Sequence, residues 1–256
     1  MTMILAYQGL DFIVLAADQY WQITNLETGK IEGEYTQRKI CKGIDNIYAA
    51  FIGMTKDMLR TGLLLTPLEE LLTLDYTELH GWQGNDFGMF LVDSKKLQLY
   101  TIESKTAKIE KHNRGHIHLG TPIVEDISII LDYMDQLQQK DAQTIAAYFL
   151  QTLKKTEKVC PLVRGYDVYI FSKNRVEIYA KSNIPTQPER EIRFDIIGDE
   201  PYNGKDISIR ETIELRALIA LLKTIEIKDL ESIPNLISYL EKYEITDAIK
   251  KMLLLN

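Results

Sequence analysis

The order of strand-like and helix-like segments is the feature that most restricts the fold of this chain. Two apolar, β-branched segments, Met3–Gln8 and residues 11–17, flank Gly9 and predict a tight hairpin. The polar residues 22–37 that follow this hairpin predict a loop or an irregular strand. Two more strand-like segments, residues 38–44 and 47–52, come next and precede any clear helix. Strands and helices that come in blocks favour a layered α+β domain over a regularly alternating α/β chain.

The middle of the chain continues this block pattern. Thr66, Pro67 and Glu69 predict a helix start, with Thr66 as the cap and Glu69 closing a capping box. Asp141 is a second candidate cap, ahead of apolar residues at helical spacing. The other predicted elements are helices at residues 55–65 and from Thr121-Pro122 onward, strands at 87–92, 96–103 and 108–119, and a hairpin of 166–172 with 175–180 around Lys173-Asn174.

A domain boundary is expected near residue 183. Residues 183–190 contain Pro185 and Pro188 among polar side chains, which is typical of a linker. Beyond it the pattern is mostly helical, with a capping box at Ser208 and Glu211. The 256 residues therefore divide into a main domain, 1–183, and a helical C-terminal extension, 184–256.

Composition excludes several classes of function. There are 30 Lys and Arg against 37 Asp and Glu, a net charge of -7, which argues against nucleic acid as a partner. No apolar run approaches the length of a membrane span, and the first residues do not resemble a signal peptide, so no membrane contact and a cytoplasmic location are expected. Cys41 and Cys160 lie too far apart for a zinc ribbon, and no glycine-rich phosphate loop is present, so no cofactor is expected.

Candidate catalytic residues cluster in the first quarter of the chain. Thr2 lies at the start of the first predicted strand, Asp18 ends the second, Lys39 lies on the third, and Gly53 ends the fourth. If these strands pair in sequence order, Thr2, Asp18 and Lys39 converge at one edge of a sheet. A hydroxyl, a carboxylate and an amine in that arrangement are the groups that nucleophilic catalysis requires.

Several segments in this order resemble the proteasome β-subunit family of N-terminal-nucleophile hydrolases, which includes the bacterial relative HslV. The resemblance lies in Gly9 to Asp18 (Gly-Leu-Asp-Phe-Ile-Val-Leu-Ala-Ala-Asp), in Lys39-Ile-Cys-Lys-Gly-Ile, and in Ala49-Ala-Phe-Ile-Gly53. Leu97-Gln-Leu-Tyr100 and Gly120-Thr121 extend it, so that it spans roughly residues 2–181. The resemblance implies a four-layer αββα sandwich. Because members of the family assemble into rings, it also implies a homo-oligomer.

The resemblance also implies a role for each candidate residue. Thr2, exposed by removal of Met1, would be the nucleophile, and its own α-amine, with an intrinsic pKa near ~8, or a neighbouring Lys acting with that amine, would accept the hydroxyl proton. Lys39 would be the cationic partner and Asp18 would orient it, while the Gly53 backbone N–H would stabilise the oxyanion. Thr121 stands at the family's Gly-Ser-Gly turn and is included in the site, although Pro122 also suits Thr121 to capping a helix.

Two departures from the family pattern leave two functions open. Where the family has an Asp…Ser-Gly-Gly segment that supports the threonine amine, this chain has residues 160–165, Cys-Pro-Leu-Val-Arg-Gly, and Gly-Thr-Pro replaces Gly-Ser-Gly. The first hypothesis is a threonine-type amide hydrolase acting on a peptide or protein, with acyl transfer as a variant. The second is a catalytically silent subunit with a structural or partner-binding role. His112, His116 and His118 are interpreted as solvated strand residues and not as a metal site, because no carboxylate lies at matching spacing.

Overall fold

The computed structural model describes residues 2–24, 28, 30–54, 57–79, 86–120 and 141–182. Strands dominate these residues, and the helices are few. The helices are α1 (Asp57–Leu64), α2 (Leu68–Leu71) and α3 (Ala142–Val159), with a 3₁₀ turn at Tyr76–Glu78. The strands are β1 (Met3–Gln8), β2 (Phe12–Ala17), β3 (Tyr20–Thr24), β4 (Ile31–Thr36), β5 (Ile40–Lys42), β6 (Ile47–Met54), β7 (Asp86–Asp93), β8 (Gln98–Glu103), β9 (Lys108–Lys111), β10 (Gly115–Gly120), β11 (Asp167–Ser172) and β12 (Arg175–Lys181).

The first five-stranded sheet is built around the N-terminal hairpin. Its strand order is β10-β1-β2-β11-β12, and every neighbouring pair is antiparallel. The predicted hairpin at Gly9 is confirmed, because the Gly9 N–H donates to the Phe12 carbonyl at 2.9 Å. The second predicted hairpin is confirmed as well: β11 and β12 pair antiparallel, and Asn174 between them takes a φ of 61°.

The second five-stranded sheet has the order β5-β6-β7-β8-β9 and is also antiparallel. The prediction of one strand over residues 108–119 is wrong, because the chain changes sheets there. β9 pairs with β8 in the second sheet, whereas β10 pairs with β1 in the first. Gly115, with a φ of 105°, begins β10 and gives the backbone a conformation that L residues rarely adopt at this change of direction.

Three buried apolar clusters show how the elements pack. One cluster joins the two sheets face to face, because alternate residues of β1 and β2 meet residues of β5, β6, β7 and β8. A second fills the space between the other face of the first sheet and α3. A third lies between the second sheet and α1, α2 and the 3₁₀ turn. Representative members are Ile4, Leu15, Phe90 and Phe171 for the first cluster, Leu5 and Phe149 for the second, and Phe51 and Leu63 for the third.

Two local predictions have different outcomes. Of the two alternatives for residues 22–37, a loop or an irregular strand, the structure shows the strand: β3 and β4 pair as a separate two-stranded sheet with a register shift between Ile23 and Thr24. Thr66 does not cap α2: its hydroxyl donates to the Gly62 carbonyl at 2.8 Å, it is fully buried, and Pro67 occupies the cap position without a side-chain hydrogen bond. The cap position falls one residue later than predicted, on Pro67, whose side chain has no hydrogen-bond acceptor.

Other predictions are confirmed or lie outside the described residues. Asp141 caps α3, because its carboxylate accepts a hydrogen bond from the Thr144 N–H at 2.9 Å. The predicted helix at Thr121-Pro122 and the whole extension, 184–256, lie outside the described residues. Across the part of the chain that is described, no helix combines the length and the apolar character needed to cross a bilayer.

Candidate active site

The side chains of Thr2, Asp18 and Lys39 meet at one point, as the sequence predicts. The Lys39 ammonium donates to the Thr2 hydroxyl, with 2.8 Å between Nζ and Oγ1. The same nitrogen lies 2.7 Å from Oδ2 of Asp18, as both a hydrogen bond and an ion pair. One lysine therefore bridges a hydroxyl that is partly exposed and a carboxylate that is fully buried.

The three residues do not converge along one sheet edge, as the sequence analysis expected. Thr2 and Asp18 flank β1 and β2 of the first sheet, but Lys39 directly precedes β5, which belongs to the second sheet. The site therefore lies between the two sheets. The expectation assumed that strands pair in sequence order, whereas the hairpin of β3 and β4 separates β2 from β5 and lets the chain cross to the other sheet.

Asp18 is fixed by backbone donors as well as by Lys39. Its Oδ1 accepts from the Met3 N–H at 2.7 Å, and its Oδ2 accepts from the Tyr20 N–H at 2.9 Å. The Asp18 N–H in turn donates to the Met3 carbonyl at 3.1 Å, which continues the ladder of β1 and β2 past its last strand pair. Because Met3 follows Thr2 directly, these bonds hold the backbone next to Thr2 against the carboxylate.

The β3–β4 hairpin brings Lys39 to Asp18. The segment from Gln19 to Gln37 begins one residue after Asp18 and ends two residues before Lys39, and its base is closed by a hydrogen bond from the Gln37 N–H to the Gln19 carbonyl at 2.8 Å. This closure brings the two ends of the segment together. Asp18, just before the segment, and Lys39, just after it, are therefore neighbours in space although they are 21 positions apart.

Burial dominates the electrostatics of the pair. Neither the Lys39 nor the Asp18 side chain has solvent exposure, with both at 0%. Burial lowers the pKa of Lys39, and the charge and hydrogen bond of Asp18 offset part of this effect. Burial likewise raises the pKa of Asp18, against the charge of Lys39 and the hydrogen bonds from Lys39, Met3 and Tyr20. A buried ammonium that has lost its water shell is a strong donor to the one hydroxyl it faces.

The remaining predicted site residues have different outcomes. Gly53 lies in the last two residues of β6, is exposed, and has a φ of 82°, the left-handed region that glycine tolerates. Its role as an oxyanion donor stays a prediction. Thr121 lies outside the described residues. His112 shares a 2.5 Å hydrogen bond with the Thr101 hydroxyl, and within the described ranges no group of three His, Cys, Asp or Glu residues could hold a metal ion.

Three residues near the site were missed by sequence reasoning. Trp21 lies against Lys39, with Nζ 5.1 Å from the ring centroid. Gly120, at the end of β10, packs so closely that an added Cβ would overlap the Thr2 carbonyl oxygen. Asp167, at the start of β11, is fully buried, and neither of its carboxylate oxygens has a hydrogen-bond partner among the described residues. Of these three residues, only Gly120 could have been found from the sequence, because it is the last glycine of a strand-like segment.

Chemically, the arrangement is one that can activate a hydroxyl. A cation 2.8 Å from Thr2 Oγ1 would stabilise an alkoxide formed at that oxygen. Asp18 pairs with the Lys39 nitrogen and orients it. Comparison with known proteins adds no assignment: none of the protein-family models matches this chain, and no curated protein matches it.

Proposed function

We propose that this protein is a threonine-type amide hydrolase that acts on a peptide or protein through an acyl-enzyme at Thr2, once Met1 has been removed. The single observation that carries the proposal is the position of Lys39 Nζ, 2.8 Å from Thr2 Oγ1 and 2.7 Å from Asp18 Oδ2. The Asp18 carboxylate is one partner of the buried Lys39 ammonium, and a second partner that is a partly exposed hydroxyl supports a catalytic purpose for the pair.

The proposed reaction proceeds in two acyl-transfer steps. The Thr2 hydroxyl proton moves to the free α-amine of Thr2 while Oγ1 bonds to the substrate carbonyl carbon, and the carbonyl electrons move onto oxygen. Lys39 stabilises the developing alkoxide, and the Gly53 N–H would bind the oxyanion, a contact typically worth about 3–4 kcal/mol. The tetrahedral intermediate then expels the amine, which takes the proton. Water, or a competing amine, resolves the ester.

The packing order supports membership of the N-terminal-nucleophile class. Helix α3, the first sheet, the second sheet, and the group of α1 and α2 follow one another through three separate apolar clusters. That order supports the proposal that the described residues form the αββα sandwich that the sequence resemblance implies. A homo-oligomer, possibly ring-forming, is proposed on the resemblance alone.

The second candidate function is a silent subunit with a structural or partner-binding role. It is favoured by the segment 160–165, Cys-Pro-Leu-Val-Arg-Gly, which lacks the acid and hydroxyl that support the threonine amine in the family. In this case Lys39 and Asp18 would be a structural ion pair, and the Thr2 hydroxyl would only accept a remaining hydrogen bond of the Lys39 ammonium.

Intact mass spectrometry of the purified protein, with and without a β-lactone or an epoxyketone, tests the proposal. We expect a chain that lacks Met1 and gains one adduct on Thr2. Thr2→Ala should abolish the adduct, and Thr2→Ser should keep it. Lys39→Met should slow labelling by about 100-fold or more, the usual size of a lost catalytic proton-transfer or charge-stabilising group.

The control variant is Lys39→Arg, which keeps the buried positive charge but moves it off Thr2 Oγ1. It should retain the thermal midpoint far better than Lys39→Met and still label slowly. A chain that retains Met1 and forms no adduct at any pH would overturn the hydrolase proposal and leave the silent subunit.

A further inference from the structure

The indole of Trp21 is the element of the site that the catalytic scheme does not use. Trp21 lies on β3, and its ring centroid is 5.1 Å from Lys39 Nζ and 4.8 Å from the guanidinium carbon of Arg60 on α1. Both distances lie within the range of attraction between a cation and an aromatic face. One ring therefore contacts two cations that come from two different elements.

The ring itself is held from two further directions. The Trp21 indole N–H donates to the Gln37 carbonyl at 3.1 Å, and the Tyr35 ring of β4 stacks with it at 6.2 Å between centroids and 10° between planes. Gln37 lies two residues before Lys39, so the same hairpin end carries both the ring's acceptor and the lysine. An aromatic ring fixed in this way is pre-organised to hold a neighbouring group.

We propose that Trp21 is a positioning residue that holds the Lys39 ammonium on Thr2 Oγ1. Lys39 has four rotatable side-chain bonds, and the carboxylate of Asp18 fixes its head from one side only. The indole supplies a second contact. The charged groups around this contact are Asp18, which pairs with Lys39, and Arg60 of α1, which lies over the same ring. The inference concerns the catalytic use of Lys39, and so it rests on the proposed function.

The first test measures the contact without requiring catalysis. The chain has one other tryptophan, Trp82, so in a Trp82→Phe, Tyr35→Phe background fluorescence reports Trp21 alone and is not affected by ionisation of the stacked phenol. Because burial lowers the pKa of Lys39, we expect an emission change in the alkaline range, below the ordinary pKa of lysine. Lys39→Met should abolish this change, whereas Arg60→Gln should leave it in place, since a guanidinium does not titrate there.

The second test measures the catalytic consequence. Trp21→Leu keeps an apolar cover but removes the aromatic face, and Trp21→Phe keeps the face. We expect Trp21→Leu to slow β-lactone labelling of Thr2 by about 2- to 30-fold, the range of a partly desolvated cation–aromatic contact. The alkaline limb of the labelling rate should also move to lower pH, since the ammonium loses support. Trp21→Phe should stay close to the parent in both measurements.

The outcomes separate the two proposals. A Lys39-dependent fluorescence change without labelling of Thr2 would support the contact between Trp21 and Lys39. It would overturn the hydrolase proposal, and with it the positioning role of Trp21 in catalysis. Labelling with no Lys39-dependent fluorescence change, or with Trp21→Leu and Trp21→Phe equal in rate and pH profile, overturns the positioning role. A lower thermal midpoint for Trp21→Leu with an unchanged pH profile would also overturn it, because that is the signature of packing alone.

Discussion

At the scale of single residues, the first sheet holds two buried carboxylates in opposite circumstances. Asp18 accepts three hydrogen bonds, one of them from an ammonium, so part of its desolvation is compensated. Asp167 is also fully buried, but no hydrogen bond to its carboxylate is found among the described residues. The positions differ: Asp18 stands just past the end of β2, where the N–H groups of Met3 and Tyr20 point to its carboxylate, whereas Asp167 is the first residue of β11, between Ala17 of β2 and Lys181 of β12.

Asp167→Asn is expected to stabilise the protein at neutral pH. Burial raises the pKa of the Asp167 carboxyl, and the nearby Gln19, Arg38 and Lys181 offset only part of this. An acid whose pKa is raised in the folded state is most favourable to folding below its unfolded pKa, near ~3.9, and that contribution is lost as the pH rises through the folded pKa. The amide has the same shape and no charge, so the gain should be about 1–3 kcal/mol at pH 7.

Thermal melts of the two proteins from pH 3.5 to pH 8 measure this effect. We expect a midpoint about 2–4 °C higher for each kcal/mol gained at pH 7, and equal midpoints near pH 3.5. A variant that is less stable than the parent at pH 7 would mean that Asp167 is charged and paired.

At the scale of elements, the start of β1 is clamped from both sides. On one side Asp18 holds the Met3 N–H, and on the other β10 pairs with β1 so that Met3 faces Gly120. Gly120 has a φ of 100°, and a Cβ added there would overlap the Thr2 carbonyl oxygen. In the proposed enzyme, Thr2 would have no covalent neighbour on one side after loss of Met1, and these two strands would supply the constraint instead.

Gly120→Ala is expected to remove Thr2 reactivity while the fold survives. Its Cβ would overlap the Thr2 carbonyl oxygen and push the first residues away from Lys39. Displacements of about 1 Å at a reacting group typically lower rates by about 100-fold. The rate of β-lactone labelling, followed by intact mass, measures this loss.

Gly115→Ala is the matched control for this experiment. Gly115 begins the same strand and has a φ of 105°, but an added Cβ there meets nothing within 4 Å. The two variants therefore share the backbone strain, of order 1 kcal/mol or more, and differ only at Thr2. Equal labelling rates in the two variants would show that the contact of Gly120 with Thr2 is not what positions the nucleophile.

At the scale of the whole molecule, the distance from Lys39 to Thr2 depends on how the two sheets pack. The two residues adjoin strands of different sheets, and an apolar cluster joins those sheets. Interiors packed at crystal density transmit small volume changes as small displacements. The distance from Lys39 to Thr2 is therefore a property of a sheet-to-sheet interface and not of a single loop.

Phe90→Ala and Phe149→Ala are expected to be equally destabilising but to differ in reactivity. Both side chains are fully buried, Phe90 of β7 between the sheets and Phe149 of α3 on the outer face of the first sheet. Each truncation should cost about 3–5 kcal/mol by chemical denaturation. After correction for the fraction of unfolded protein, only Phe90→Ala should label Thr2 more slowly than the parent. Equal labelling by the two folded variants would contradict the dependence on sheet packing.

Local chemistry was predictable where neighbouring residues decide it. The hairpins at Gly9 and at Lys173-Asn174 and the Asp141 cap follow from turn and capping preferences that act over three or four residues. The same reasoning failed at Thr66, whose hydroxyl found an acceptor in an earlier turn. It also failed at residues 108–119, since a change of sheet between β9 and β10 leaves the apolar periodicity unbroken.

The amino-acid sequence by itself determined which groups are present, in which order, and on which kind of element: a hydroxyl at position 2, a carboxylate after the second strand, an amine before a later one. Tertiary structure alone decided that these groups meet across two sheets, that the Trp21 ring lies 5.1 Å from the amine, and that Asp167 is buried without a hydrogen bond among the described residues. The reason is physical. Periodicity and turn chemistry act within one element, whereas contacts between sheets depend on the pairing and packing of segments far apart in the chain.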